Sequence, residues 1–110
     1  MLDLQEFRAW LCSHEPHEVV GWARIEYACP IATWLTESRG GWWRVDGTHI
    51  RGPGGEEPLP GWAWAFISHL DMYHSGPALR AGEALQMLEV AMTRTTYERK
   101  EEEGNDGKRN

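Results

Sequence analysis

The chain has 110 residues and a net charge of −6, with 41% hydrophobic and 25% charged residues. This composition is that of a globular protein and excludes a mainly disordered chain, and the length fits one domain. We expect that domain over residues 1–97, followed by a charged, disordered tail over 98–110.

The charge and the apolar pattern argue against further classes of protein. Residues 1–97 carry twelve acidic and seven basic side chains, a net charge of −5. Since no arginine or lysine run is present, direct nucleic acid binding is not expected, and a basic protein surface suits the domain better. No apolar run approaches the roughly 18 residues that cross a membrane, and no signal peptide is expected. We predict a cytoplasmic protein with two reduced cysteines and no cofactor.

The start of the chain carries a helix signal. Asp3 and Glu6 have the spacing of a capping box, and Leu2 can pack on Phe7 one turn later. Apolar residues continue at helical spacing, and Pro16 prevents the helix from extending further. The sequence predicts a helix over about 3–13.

A short strand and a second helix are expected next. Residues 18–23 are β-branched at their start and predict a strand. Pro30 suits the first position of a helix, where its missing amide costs nothing, and Gly40 tolerates the conformation that ends one. A helix from Pro30 to the glycines at 40–41 is therefore predicted.

A hairpin is predicted over 42–51, because Asp46-Gly47 favours a type I′ turn. The expected pairs are Val45 with Thr48, Arg44 with His49, Trp43 with Ile50, and Trp42 with Arg51. One face, with Trp43, Val45, Thr48 and Ile50, is expected to enter the core. The other face, with Trp42, Arg44, His49 and Arg51, is expected to meet water, where an arginine can stack on Trp42.

The rest of the chain predicts a loop over 52–58 and helices over about 60–73 and 81–97. The expected fold is α+β with the order α-β-α-β-β-α-α. Its small three-stranded antiparallel sheet combines the hairpin 42–51 with the strand 18–23, and about four helices pack on it.

Tryptophan is the unusual residue, with seven copies. A domain of this size has room in its core for some of them, and the surplus must lie at edges or on the surface. We expect Trp34, Trp43 and Trp62 in the core. Trp64 falls with Ser68 on the opposite face of its helix, so we expect it to be exposed.

Three blocks of sequence resemble a known group of proteins. They are Ala28-Cys29-Pro30-Ile31-Ala32-x-x-Leu35, then Leu59-Pro60-x-Trp62-Ala63-x-x-Phe66-Ile67-x-x-Leu70-Asp71, and Glu83-Ala84-Leu85-x-x-Leu88-Glu89. Together they are similar to a loose group of small proteins of bacterial and phage genomes that have no assigned activity. The resemblance covers most of the chain from Val19 to Met92 and implies a compact accessory or phage-type protein.

Metal binding and thiol chemistry are the alternative interpretations of the cysteines and histidines. Cys12, His14, His17 and Cys29 supply four ligand types that zinc accepts, but their spacing matches no usual zinc finger. Reduced cysteines beside surface histidines are the preferred interpretation. Cys29 precedes a helix, whose dipole would lower a thiol pKa and favour a nucleophile.

The sequence thus predicts a non-enzymatic protein-binding module, whose partner is another protein or a second copy. The proposed role is that of an accessory or inhibitory factor of a phage or mobile element. Exposed tryptophan and arginine are typical binding anchors, and the candidate residues are Trp42, Arg44, Arg51, Trp64 and Asp71. The alternative is a small metal-binding or thiol-dependent enzyme that uses Cys12, Cys29 and nearby histidines. Nucleic acid mimicry is disfavoured because the acids are spread along the chain.

Overall fold

The computed structural model describes residues 2–93, and the predicted tail over 98–110 lies outside them. The elements are α1 (Leu4–Cys12), β1 (Val19–Trp22), α2 (Pro30–Arg39), β2 (Arg44–Val45), β3 (His49–Gly52), β4 (Gly55–Pro58), α3 (Gly61–Tyr73), β5 (Ala78–Arg80) and α4, which occupies 81–93 of the described chain. The predicted α+β class with four helices is confirmed.

The helix ends follow the local signals in the sequence. The Asp3 carboxylate accepts hydrogen bonds from the amides of Gln5 at 2.7 Å and Glu6 at 3.2 Å, so it caps α1 as expected. Pro30 is the first residue of α2, and Gly40 ends it with a φ of 74°. The described helices therefore lie where capping and periodicity predict them.

The sheet corrects one part of the prediction. A three-stranded antiparallel sheet is present, but its order is β2-β3-β4, and β1 pairs instead with β5. The expected third strand, 18–23, therefore belongs to a separate two-stranded sheet. Its place is taken by β4, which lies in the segment predicted as a loop. The positive φ of Gly55, 121°, lets the chain fold back directly after β3.

The hairpin register also differs from the prediction. Val45 lies opposite Ile50 and Arg44 opposite Arg51. The reason is the Asp46 carboxylate, which accepts from the amides of Thr48 at 2.8 Å and His49 at 2.7 Å, as in an Asx turn. The turn therefore centres on 47–48, and the expected type I′ turn is wrong. Val45 and Ile50 are buried as predicted, but Thr48, which was also expected in the core, is exposed because the shifted turn places it at its tip.

This turn predicts a pH-dependent contribution to stability. The Thr48 and His49 amides, with Arg51 nearby, hold the pKa of Asp46 well below its usual range. A carboxyl whose pKa is lowered by folding stabilises the fold above its unfolded pKa of about 4, and this contribution is lost as the pH falls towards the folded value. We expect Asp46→Ala to lower the free energy of unfolding by about 1–2 kcal/mol at pH 7.

Urea unfolding of the wild type and Asp46→Ala at neutral and at acidic pH measures this contribution. The difference between the two proteins should shrink at about pH 3, below the unfolded pKa of the carboxyl. Asp46→Asn, which keeps an acceptor oxygen but not the charge, should lose less of the free energy of unfolding than the alanine variant. An equal loss of unfolding free energy in Asp46→Ala at both pH values would contradict a stabilising role for the ionised Asp46 carboxylate.

The core is built around a cluster of aromatic rings. Phe7 is fully buried, and its ring centroid lies 5.1 Å from that of Trp34 and 5.4 Å from that of Phe66. Trp34 is buried as predicted. Trp43 and Trp62 are only partly buried, and they pack against the edge of the core.

Candidate functional site

The groove of interest lies where three parts of the chain meet: the loop after β1, the turn of the β2–β3 hairpin, and one face of α3. It has a volume of about 250 Å³. We call it the Trp64 groove, and its walls are formed by Arg24, Ile25, Glu26, Cys29, Val45, Asp46, Gly47, Trp64, Ile67, Ser68 and Asp71.

The helical wall of the Trp64 groove follows from the periodicity of α3. Trp64, Ser68 and Asp71 are separated by four and three residues, so they form one stripe along the helix. The opposite face buries Phe66 and Leu70 in the core. Trp64 is left 55% exposed, as the sequence predicts. A large indole therefore lines an open groove.

The loop wall is fixed to the end of α3 by Arg24. Its guanidinium donates to the carbonyls of His74 at 3.2 Å and Gly76 at 2.9 Å, and more weakly to that of Asp71 at 3.4 Å. Its backbone amide donates to Oδ1 of Asp71 at 3.2 Å. These bonds hold Arg24 at a φ of 66°, a left-handed conformation that costs about 1–2 kcal/mol. The cation at the helix C-terminus also complements the helix dipole.

Asp71 is consequently held in place at one end of the groove. Partial burial raises the pKa of this carboxyl, and the Arg24 amide and charge oppose that rise. The described contacts of Asp71 engage Oδ1 through a backbone amide, while the Arg24 guanidinium binds carbonyl oxygens instead. Within residues 2–93, the Asp71 carboxylate therefore has no arginine side chain as an ion-pair partner.

The hairpin wall is tied to the same loop. The amide of Val45 donates to the carbonyl of Glu26 at 2.8 Å, and Nε of Arg44 donates to Oε1 of Glu26 at 2.6 Å. Asp46 lines the groove beside them. Val45 and Asp46 of the hairpin and Glu26 of the loop therefore line this side of the groove together.

The five predicted partner-binding residues do not share one site. Trp64 and Asp71 line the Trp64 groove, whereas Trp42 is outside its described lining and is 60% exposed. Arg44 pairs with Glu26, and Arg51 pairs with Asp46 and Glu56. The arginine stacking expected at Trp42 is seen instead at Trp43, whose ring centroid lies 5.6 Å from Arg39 Cζ. Both predicted arginine anchors are thus already bound within the chain.

The other arginines of residues 2–93 also have contacts within the chain. Arg8 pairs with Glu89 at 2.7 Å, and Arg80 donates to the carbonyl of His17 at 2.6 Å. Of the twelve carboxylates in this part of the chain, those in ion pairs with arginine are Glu26, Asp46, Glu56 and Glu89. The charge left for a partner on the described surface is therefore mainly negative.

The cysteine and histidine candidates are dispersed. Residues 2–93 contain no group of three or more histidine, cysteine or acidic side chains that could hold a metal ion. Cys12 is exposed and Cys29 is buried. Burial raises the pKa of the Cys29 thiol to about 11, with backbone hydrogen bonds opposing the rise. The expected lowering by the helix dipole is therefore outweighed by desolvation, and the thiol is protonated at neutral pH.

Comparisons with known proteins leave the chain without an assigned relative. No protein-family model, curated protein or solved structure matches it. The resemblance of its three sequence blocks to small bacterial and phage proteins stays a prediction. In residues 2–93, no helix has the length and apolar character needed to cross a membrane.

Proposed function

We propose that this protein is a non-enzymatic protein-binding module that docks a basic partner through the Trp64 groove. The observation that carries the proposal is the exposed indole of Trp64 beside a groove that also contains Ile67 and Asp71. Tryptophan is enriched at the energetic centre of protein interfaces, where it buries a large area at low entropic cost.

Charge supports a basic partner over a second copy of the chain. Residues 2–93 carry twelve acidic side chains and six arginines, and each of these arginines has an intramolecular contact. Two acidic surfaces repel each other, whereas a basic surface gains long-range attraction. We further propose that this docking serves an accessory or inhibitory role in a phage or mobile element.

The test begins with affinity purification of partners and continues with the dissociation constant of the purified complex. Trp64→Ala should weaken binding by about thirtyfold, which corresponds to about 2 kcal/mol for loss of a central interface tryptophan. Met72→Ala is the matched control, because Met72 is 73% exposed on the same helix but lies outside the described lining of the groove.

The control should leave both the affinity and the thermal midpoint unchanged. Since Trp64 lies on the exposed face of α3, its alanine variant should also keep the wild-type fold. A partner that binds Trp64→Ala as tightly as the wild type would overturn docking at this groove.

A further inference from the structure

We infer that the Trp64 groove receives an arginine side chain of the partner, whose aliphatic stem covers the indole while its guanidinium binds Asp71. This inference rests on the proposed function and adds the chemistry of the group that is recognised.

The exposed stripe of α3 is apolar at one end of the helix and acidic at the other. Trp64 and Ile67 form its apolar end, and Asp71 lies about 10 Å from Trp64 and about 6 Å from Ile67 along the axis, since each residue advances a helix by about 1.5 Å. An occupant must therefore be apolar at one end and cationic at the other. Arginine and lysine have this character, because their methylene stems cover apolar surface while the charge stays in contact with polar groups.

The carboxylate of Asp71 is presented for such a contact. The Arg24 amide holds Oδ1, and the Arg24 guanidinium is directed to the carbonyls of His74 and Gly76. Asp71 is thus positioned without having its charge cancelled by an ion pair in residues 2–93. A planar guanidinium matches a carboxylate with two parallel hydrogen bonds, a geometry that lysine lacks.

The other charged groups around the groove do not prevent Asp71 from binding an arginine of the partner. Glu26 and Asp46 line the hairpin side and are paired with Arg44 and Arg51. Arg24 contributes one positive charge at the Asp71 end, but its guanidinium is bound to carbonyl oxygens there. The carboxylate that remains for a new cation in the described lining is Asp71.

Two short peptides test the inference: one has a central arginine flanked by leucine and serine, and the other has citrulline at that position. Citrulline keeps the shape of arginine and removes its charge. Binding is measured from the NMR shift of the Trp64 indole N–H, assigned with Trp64→Phe. The arginine peptide should bind at least about tenfold more tightly, as expected for a charge-assisted hydrogen bond to a carboxylate.

Asp71→Asn provides the matched substitution, because asparagine keeps an oxygen that can accept the Arg24 amide. This substitution should lower the affinity for the arginine peptide by about tenfold and leave the affinity for the citrulline peptide unchanged. Glu15→Gln removes the same charge outside the described lining of the groove and should change neither affinity. Thermal unfolding of each variant checks that the fold is retained.

Three results would overturn the arginine assignment. They are equal affinities for the two peptides, an unchanged affinity of Asp71→Asn for the arginine peptide, and no shift of the Trp64 signal at millimolar arginine peptide. Each of these leaves docking of a whole partner at Trp64 intact. Docking itself is contradicted by the separate finding that Trp64→Ala binds the purified partner normally.

Discussion

Phe7→Ala should be the most destabilising single substitution considered for this fold, with a loss of about 3–5 kcal/mol in the free energy of unfolding. The Phe7 ring is fully buried, and its centroid lies between 5.1 and 6.0 Å from those of Trp10, Trp34, Trp62 and Phe66. These separations fall in the range of favourable aromatic pairs. One truncation therefore leaves a cavity and removes contacts among α1, α2 and α3.

Thermal and urea unfolding measure this loss. A penalty of this size shifts the thermal midpoint of a domain of this length by at least about 12 °C. Tyr27→Ala is the control, because Tyr27 is 64% exposed, and it should change stability by no more than about 0.5 kcal/mol. A loss below about 1 kcal/mol for Phe7→Ala would show that the cluster is not the centre of the core.

Gly21→Ala should cost about 3 kcal/mol, at the upper end of the usual penalty for overpacking. A Cβ at this position would lie 2.6 Å from the nitrogen of Pro30 and 2.9 Å from both Cα of Pro30 and the carbonyl carbon of Cys29. These are backbone atoms at the start of α2, so the contact cannot be relieved by rotating a side chain. Strand β1 would have to move away from α2.

The matched control is Gly54→Ala, because a Cβ at Gly54 meets no atom within 4 Å. Its urea midpoint should stay close to that of the wild type, whereas the midpoint of Gly21→Ala should fall clearly. Since Cys29 also lines the Trp64 groove, Gly21→Ala should perturb the groove as well. An equal midpoint for the two variants would rule out the close β1–α2 approach as a constraint.

The sequence indicates the helices well because their signals are local. A cap at Asp3, a proline at position 30 and a glycine at 40 act within one turn of the helix ends that they determine. Strand pairing depends on distant partners. Strand β4 has the sequence Gly55-Glu56-Glu57-Pro58, which is typical of a loop, and it becomes a strand through its pairing with β3.

The hairpin shows two local preferences in competition. Asp46-Gly47 favours a type I′ turn, but the Asp46 side chain binds the amides of Thr48 and His49 and moves the turn by one residue. The hydrophobic alternation nevertheless keeps Val45 and Ile50 inside. The burial of these two residues was therefore predictable, whereas the pairing register and the exposure of Thr48 were not.

The candidate site was predictable only along α3. Helical spacing alone places Trp64 and Asp71 on one exposed face. The opposite walls depend on the left-handed conformation of Arg24 and on contacts between the loop and the hairpin. Internal ion pairs also decide which arginines are available, and pairs such as Arg44 with Glu26 join residues that are far apart in sequence.

Two other grooves provide an internal comparison for the proposed docking site. One includes Thr36 together with Trp22 and Tyr27, and the other includes Gln86 together with Val90. Each also has exposed apolar side chains, since Trp22 is 43% and Val90 is 44% exposed. A photoreactive amino acid placed in each groove in turn can therefore distinguish the three surfaces.

Photocrosslinking to the purified partner from positions 68, 36 and 86 is the most direct measurement of where docking occurs. Ser68 lies in the wall of the Trp64 groove between Trp64 and Asp71. Docking at this groove predicts a strong covalent adduct from position 68 and little or none from the other two. An adduct from position 36 or 86 without one from position 68 would contradict it, and so would the absence of any adduct under conditions where the complex forms.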